Sequence, residues 1–281
     1  MSGQSQQMFR KVPAARGLAW VSGSWELVRR QPLRLLLIAL FFQFFLGFSQ
    51  TNALGLLIIL CLPLLSAGML HAFFLVERGE KPMLAVLFKP FTVKRSLSSL
   101  LLLGGTVMAL GLLIVSLVLA GQVLDIDPEI IRRIELGELD ALQLIDPQVM
   151  ENAVLAMALG AAISGSITYF SVPLIWFKKL GMWGAILMGL KAMVRNWRPL
   201  LVIGLLLGLL AVPIALLFGS FYLSALNEGS AASWLAFLLM LLGPMFQLLL
   251  FGTQYLAFRD IFDLDVSADN QSQGSADQLV A

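Results

Sequence analysis

Few side chains in this sequence have the type and spacing to do chemistry. It contains one histidine, His71, and one cysteine, Cys61, so neither a two-histidine metal site nor an intrachain disulfide can be built. Nucleophilic catalysis needs a serine with a base in hydrogen-bond reach. Ser164, in Ala162-Ile163-Ser164-Gly165, is the candidate nucleophile, and His71 is the single base. Glu77-Arg78-Gly79-Glu80 and Arg259-Asp260 offer acids and bases for a phosphate-handling site, but no carboxylate pair with a metal motif accompanies them. Gln43, Gln247 and Gln254 are conspicuous polar residues in apolar surroundings, suited to hydrogen bonds between helices. The clearest charged pattern is Lys191, Arg195 and Arg198, spaced i, i+4 and i+7 so that they share one helical face.

The elements that must carry these residues are set by composition. Of 281 residues, 59% are hydrophobic and 13% charged, against about 25% charged in an average soluble protein. With a mean hydropathy of +0.87, this excludes a soluble enzyme, a disordered chain and a nucleic-acid binder. The uncharged residues fall in blocks long enough for membrane crossings of about 20 residues. They divide into six expected spans, at 33–50, 53–76, 97–122, 150–176, 199–224 and 232–258. Gln50-Thr51-Asn52 is the expected turn between the first two. Asp146-Pro147 opens the fourth as an N-cap acid with proline at the first helical position. Pro63, Pro173, Pro213 and Pro244 are expected kinks, since neighbouring helices can satisfy the freed carbonyls. About 30 polar or amphipathic residues precede the first span, which is unlike a cleavable signal.

Basic residues set the orientation. Seventeen of the nineteen lysines and arginines lie before span one or at its first turn (Arg34), between two and three, between four and five, or after six. The positive-inside rule therefore places both termini in the cytoplasm. The remaining two, Arg132 and Arg133, sit in the outer segment 123–149 beside seven acids. That segment reads as a solvated acidic cap or a docking surface for a partner, with a short helix starting at Asp127-Pro128-Glu129.

Beyond their first two residues, the spans contain no Asp, Glu, Lys or Arg. Proton or sodium coupling, which keeps a charge at depth, is not expected. The Ser164 segment loosely resembles the Gly-x-Ser-Gly of rhomboid proteases but lacks the first glycine. His71 is about five residues from the inner end of its span and Ser164 about twelve, a depth difference of roughly 10 Å at 1.5 Å per residue. Ala156, Gly160 and Ser164 instead form a small-residue stripe for close helix packing, as do Gly204 and Gly208 with Ala211 and Ala215. His71 is expected to be a satisfied polar residue near the inner face.

The inner segments carry helical periodicity of their own. Ala14, Leu18, Val21, Trp25 and Val28 form one apolar stripe, with Arg29 and Arg30 off it. Leu84, Leu87, Phe88 and Phe91 form a second; Met182, Ile186, Leu190, Met193 and Trp197 form a third, beside Lys191, Arg195 and Arg198. Each is expected as an amphipathic helix lying in the inner interface. The fold expected is therefore all-α: a six-span bundle with three amphipathic inner helices, in three units of about 12–76, 77–176 and 177–258. Residues 1–11 are expected to be a flexible N-terminus, 12–262 a single membrane domain and 263–281 a disordered polar tail.

Gly17-Leu18-Ala19-Trp20, the run from Gly68-Met69 to Glu77-Arg78-Gly79-Glu80 with Leu87-Phe88, Arg195-Asn196-Trp197-Arg198-Pro199, and Tyr255 with Arg259-Asp260-Ile261-Phe262 resemble a family of bacterial multi-pass inner-membrane proteins without an established activity. More distantly, they are similar to the membrane part of glycerophosphodiester phosphodiesterase fusions, whose catalytic barrel is absent here. The resemblance implies no catalytic residues. The function expected is non-enzymatic, through contact with lipid or assembly with a membrane partner, without cofactor, metal or nucleic acid. Lys191, Arg195, Arg198, Arg29 and Arg30 are the expected contacts to anionic headgroups. The rival is a carrier or channel for a small neutral or lipid-like solute.

Overall fold

A residue that precedes proline is pushed out of the α region, and proline has no N–H to continue a helix. Gln31-Pro32 does both. The backbone at Gln31 turns to φ −141° and ψ 57°, ending α1 (Arg16–Arg30) and starting α2 (Pro32–Phe48). The two axes meet at 104°, so α1 lies crosswise to α2. The computed structural model describes residues 9–48, 55–120, 127–136, 141, 144–228 and 233–264, and every α or 3-10 element among them is helical.

After α2 come α3 (Gly55–Glu77), a 3-10 turn (Leu84–Phe88), α4 (Lys89–Thr92), α5 (Lys94–Val118) and α6 (Pro128–Glu135). They are followed by α7 (Pro147–Phe177), α8 (Met182–Arg195), α9 (Trp197–Glu228) and α10 (Ser233–Phe262). Among the described residues, five helices are long and apolar enough to cross a membrane, or six if α1 and α2 count as one broken span. The ends of α2, α3, α5, α7, α9 and α10 fall within four residues of the expected span boundaries. Pro63, Pro173 and Pro213 lie inside α3, α7 and α9, and Pro244 inside α10. Asp127 and Asp146 cap α6 and α7 as expected, their carboxylates accepting from Glu129 N at 2.9 Å and Gln148 N at 2.8 Å. The expected turn at Gln50-Thr51-Asn52, the N-terminal eight residues, most of the tail and part of the acidic segment lie outside the described residues.

The expected amphipathic helix at 84–91 takes a different form. It is the 3-10 turn followed by the four-residue α4, with Pro90 in the first turn of α4. Proline there ends the preceding hydrogen-bond register, so the apolar residues fold back over α3 instead of forming one long helix.

Contacts gather the ends of the spans. Arg259 at the end of α10 pairs with Glu77 at the end of α3. Arg34 in α2 donates to the Pro82 carbonyl after α3 at 3.4 Å. Lys179 after α7 reaches Ser96 Oγ in α5 at 3.5 Å. The Arg10 N–H donates to the Ile261 carbonyl of α10 at 2.8 Å, and Val12 N–H to Asn196 Oδ1 between α8 and α9 at 2.9 Å. This basic end is also the best packed, with Trp20, Phe73, Leu87, Phe170, Tyr255 and Phe258 fully buried.

Candidate functional site at the basic end of the bundle

The side chains of α8 divide among three faces. Met182, Ala185, Ile186, Gly189 and Ala192 are buried. Trp183, Leu187, Leu190 and Val194 are exposed, Trp183 and Val194 by 67% and 74%. At 100° per residue they centre on a second face, next to a third that carries Lys191 and Arg195. Trp197 and Arg198 continue the last two faces into α9, with the Arg198 guanidinium 5.5 Å from the Trp197 ring centre. Met182 and Ile186, expected to meet lipid, pack on the protein instead. The exposed apolar face is Trp183, Leu187, Leu190 and Val194. Likewise in α1, Gly17, Trp20, Ser24, Leu27 and Val28 are buried, while Leu18 and Trp25 are exposed on the side of Arg29. Val28 therefore leaves the expected apolar stripe for the core. Arg29 and Arg30 are both exposed at the end of α1.

An ionic cluster fastens α1 to α10 and α3. Asp260, 4% exposed, accepts from Trp20 Nε1 at 2.8 Å, from Arg16, and from Arg259 at 3.0 Å. Arg259 also pairs with Glu77, whose second oxygen accepts from the Tyr255 hydroxyl at 2.5 Å. Each carboxylate is thus satisfied by protein donors, as buried charge requires. Arg78 pairs with Glu80 at 3.1 Å. The acids that the sequence offers to a phosphate-handling site are neutralised and act as a clamp.

A separate pocket of about 460 Å³ is lined by His71, Phe74, Lys89, Val93, Trp176, Phe177, Lys178, Lys179, Asp263 and Leu264. The Lys89 ammonium lies 3.0 Å from His71 Nε2. An ammonium has no lone pair, so Nε2 accepts and the ring proton sits on Nδ1. That Nδ1 is buried without a partner, in a residue 7% exposed. His71 is therefore only half satisfied, contrary to the sequence expectation. The Lys179 ammonium lies 4.2 Å from the Trp176 ring centre, and Lys178 Nζ donates to the Asp263 carbonyl at 3.3 Å. Lys179 and Asp263 both adopt left-handed backbone, φ 54° and 49°, where α3 uses Gly79 at φ 78°. Holding a non-glycine residue there costs on the order of 1–3 kcal/mol.

Ser164 and His71 line different cavities. Ser164 belongs to an apolar groove of about 460 Å³ among α3, α5 and α7, so the two do not form a serine–histidine pair. The expected packing stripes are also corrected. A Cβ placed on Gly160, Gly204 or Gly208 meets nothing within 4 Å, and Gly204 and Gly208 line another open groove. Of those residues, Ala156 is the one buried in the core, at 1% exposure. Close helix approach occurs elsewhere. A Cβ on Gly17 would lie 2.5 Å from the Pro199 carbonyl oxygen, and one on Gly68 2.6 Å from Leu87 Cα. Gly104 meets the Leu60 carbonyl and Gly252 meets Ser24 in the same way. Gln254 donates to the Tyr169 carbonyl at 2.6 Å, the interhelical bond expected of it, whereas both side-chain polar atoms of Gln247 are buried without partners.

The sequence motifs therefore meet in space. Gly17 abuts Pro199, Trp20 bonds Asp260, Gly68 abuts Leu87, and Glu77 takes Tyr255 and Arg259. The signal that marks them is four short segments of small, aromatic and charged residues at span ends. No family model, curated protein or solved structure matches the chain.

Proposed function

We propose that this chain is a non-enzymatic inner-membrane protein that works by holding anionic lipid at the basic end of its bundle. The observation that carries the reading is the three-way division of α8, with apolar side chains exposed beside Lys191 and Arg195. A helix so divided rests its apolar face in the acyl boundary and its cations among headgroups. Arg198, Arg29 and Arg30 extend the same basic rim. In this reading the chain comprises three units of crosswise helix and hairpin, both termini are cytoplasmic, and 123–149 is an outer surface for a protein partner. The reading agrees with the inner-membrane family that the sequence resembles.

The test is Lys191→Gln/Arg195→Gln/Arg198→Gln. Near an anionic leaflet each cation contributes roughly 1 kcal/mol, so the triple variant should insert normally and retain less phosphatidylglycerol through purification. An unchanged lipid profile would leave the stripe with a topological role and remove the lipid-contact reading. A second reading, carriage of a lipid-like solute, is supported by the apolar groove that Leu56, Pro63, Met108 and Ser164 help to line. It requires protein-dependent movement of a labelled lipid between leaflets of a vesicle.

A further inference from the structure

The pocket around His71 lies apart from the α8 stripe and has a different character. Three lysines from two segments converge on it: Lys89 opens α4, and Lys178 and Lys179 follow α7. One acid, Asp263, also lines it, but its carboxylate lies 3.5 Å from Arg10 and its carbonyl accepts from Lys178. The balance of charge in the pocket is positive. At its wall lies the buried His71 ring, whose Nε2 takes the Lys89 ammonium at 3.0 Å and so holds one of the three cations at the pocket.

We infer that this pocket binds a phosphate anion, carried on a phospholipid headgroup or free in solution. Phosphate supplies enough oxygens to take several ammonium groups together, more than one carboxylate can. The volume, about 460 Å³, exceeds what a bare anion fills. Phe74, Val93, Trp176, Phe177 and Leu264 give it apolar walls beside the cations, which suits the glycerol and first methylenes of a lipid. The backbone agrees: left-handed Lys179 and Asp263 place two lining residues at positions where glycine is the usual occupant.

The test uses the full chain in phosphatidylcholine nanodiscs, with phosphatidylglycerol as one probe and inorganic phosphate as the other. Native mass spectrometry reads tightly retained phosphatidylglycerol, and calorimetry reads phosphate. The Lys89→Gln/Lys178→Gln/Lys179→Gln variant should bind phosphatidylglycerol about a hundredfold more weakly, since three cations are lost. All three lysines are exposed, and the triple arginine variant, which keeps the charges, should restore retention. Lys191→Gln/Arg195→Gln/Arg198→Gln should leave this tight lipid in place while thinning the weaker shell. Inorganic phosphate binding to the parent and not to the glutamine variant upholds the site and assigns it a soluble source. Parent protein that binds neither probe tightly overturns the inference. So does a tight lipid lost from the α8 variant but kept by the pocket variant, an outcome that leaves the α8 reading standing.

Discussion

Gly68→Ala should destabilise the protein, and Gly160→Leu should not. A Cβ at Gly68 would sit 2.6 Å from both Leu87 Cα and Leu87 O and 2.8 Å from its carbonyl carbon. All three are backbone atoms, and Leu87 is itself fully buried, so the 3-10 turn cannot yield by rotating a side chain. Replacing glycine within a helix gains about 1 kcal/mol of intrinsic propensity, while overpacking a rigid site costs typically 1–3 kcal/mol and sometimes more. With three backbone atoms inside 3 Å the cost falls in the upper part of that range, at about 2–3 kcal/mol, so the net expectation is a loss of about 1–2 kcal/mol, with the turn displaced and Lys89 carried away from His71. At Gly160 nothing lies within 4 Å, so leucine meets open surface and the change should stay within about 0.5 kcal/mol. The assay is the temperature at which half of the detergent-solubilised protein stops eluting as a monodisperse peak. Gly68→Ala should lower it by a few degrees. If Gly160→Leu lowers it as far as Gly68→Ala does, close packing lies at the small-residue stripe of α7 and this account of the core is wrong.

Asp260→Asn should cost roughly 2–3 kcal/mol, because buried bonds from Trp20 and Arg259 lose their charged acceptor, with the half-exposed Arg16 arm discounted for solvent; chemical unfolding in detergent measures it, and an unchanged midpoint would dissolve the clamp. Lys179→Gly should leave stability within about 1 kcal/mol, since relief of the left-handed backbone offsets a lost contact with Trp176. Lys179→Val, β-branched at the same φ, should melt clearly lower, and equal melting of the two would contradict the backbone reading. Reporter fusions should place residues 1–30, 85–92 and 265–281 in the cytoplasm and residue 137 outside; a cytoplasmic signal at 137 would reverse the orientation.

The spans were legible because lipid demands uninterrupted apolar helices, and the acids before Pro128 and Pro147 marked the starts of the short α6 and of the span α7. The faces were harder to read. α8 has one apolar face against protein and another exposed, and lipid and protein interior select the same side chains. Periodicity located an apolar stripe through Met182 and Ile186 but could not tell which neighbour it met. The packing glycines failed for a related reason. Spacing by four at Gly160 and Gly204 describes one helix, whereas close approach at Gly68 and Gly104 depends on where Leu87 and Leu60 arrive from other segments. The pocket shows the same limit. His71 and Lys89 meet because Pro90 breaks the expected helix and α4 folds back on α3, a tertiary event with no local spacing to announce it.

Lipid selection by the parent protein tests the central claim most directly. The protein is reconstituted in equimolar phosphatidylcholine and phosphatidylglycerol, extracted with its bound lipid shell, and the two lipids are quantified against the bulk mixture. With α8 and the end of α1 presenting exposed tryptophans beside Arg29, Lys191 and Arg195, the shell should be enriched in phosphatidylglycerol, and enrichment should fall as salt rises. A shell with the composition of the bulk, at low salt and high salt alike, would contradict the account.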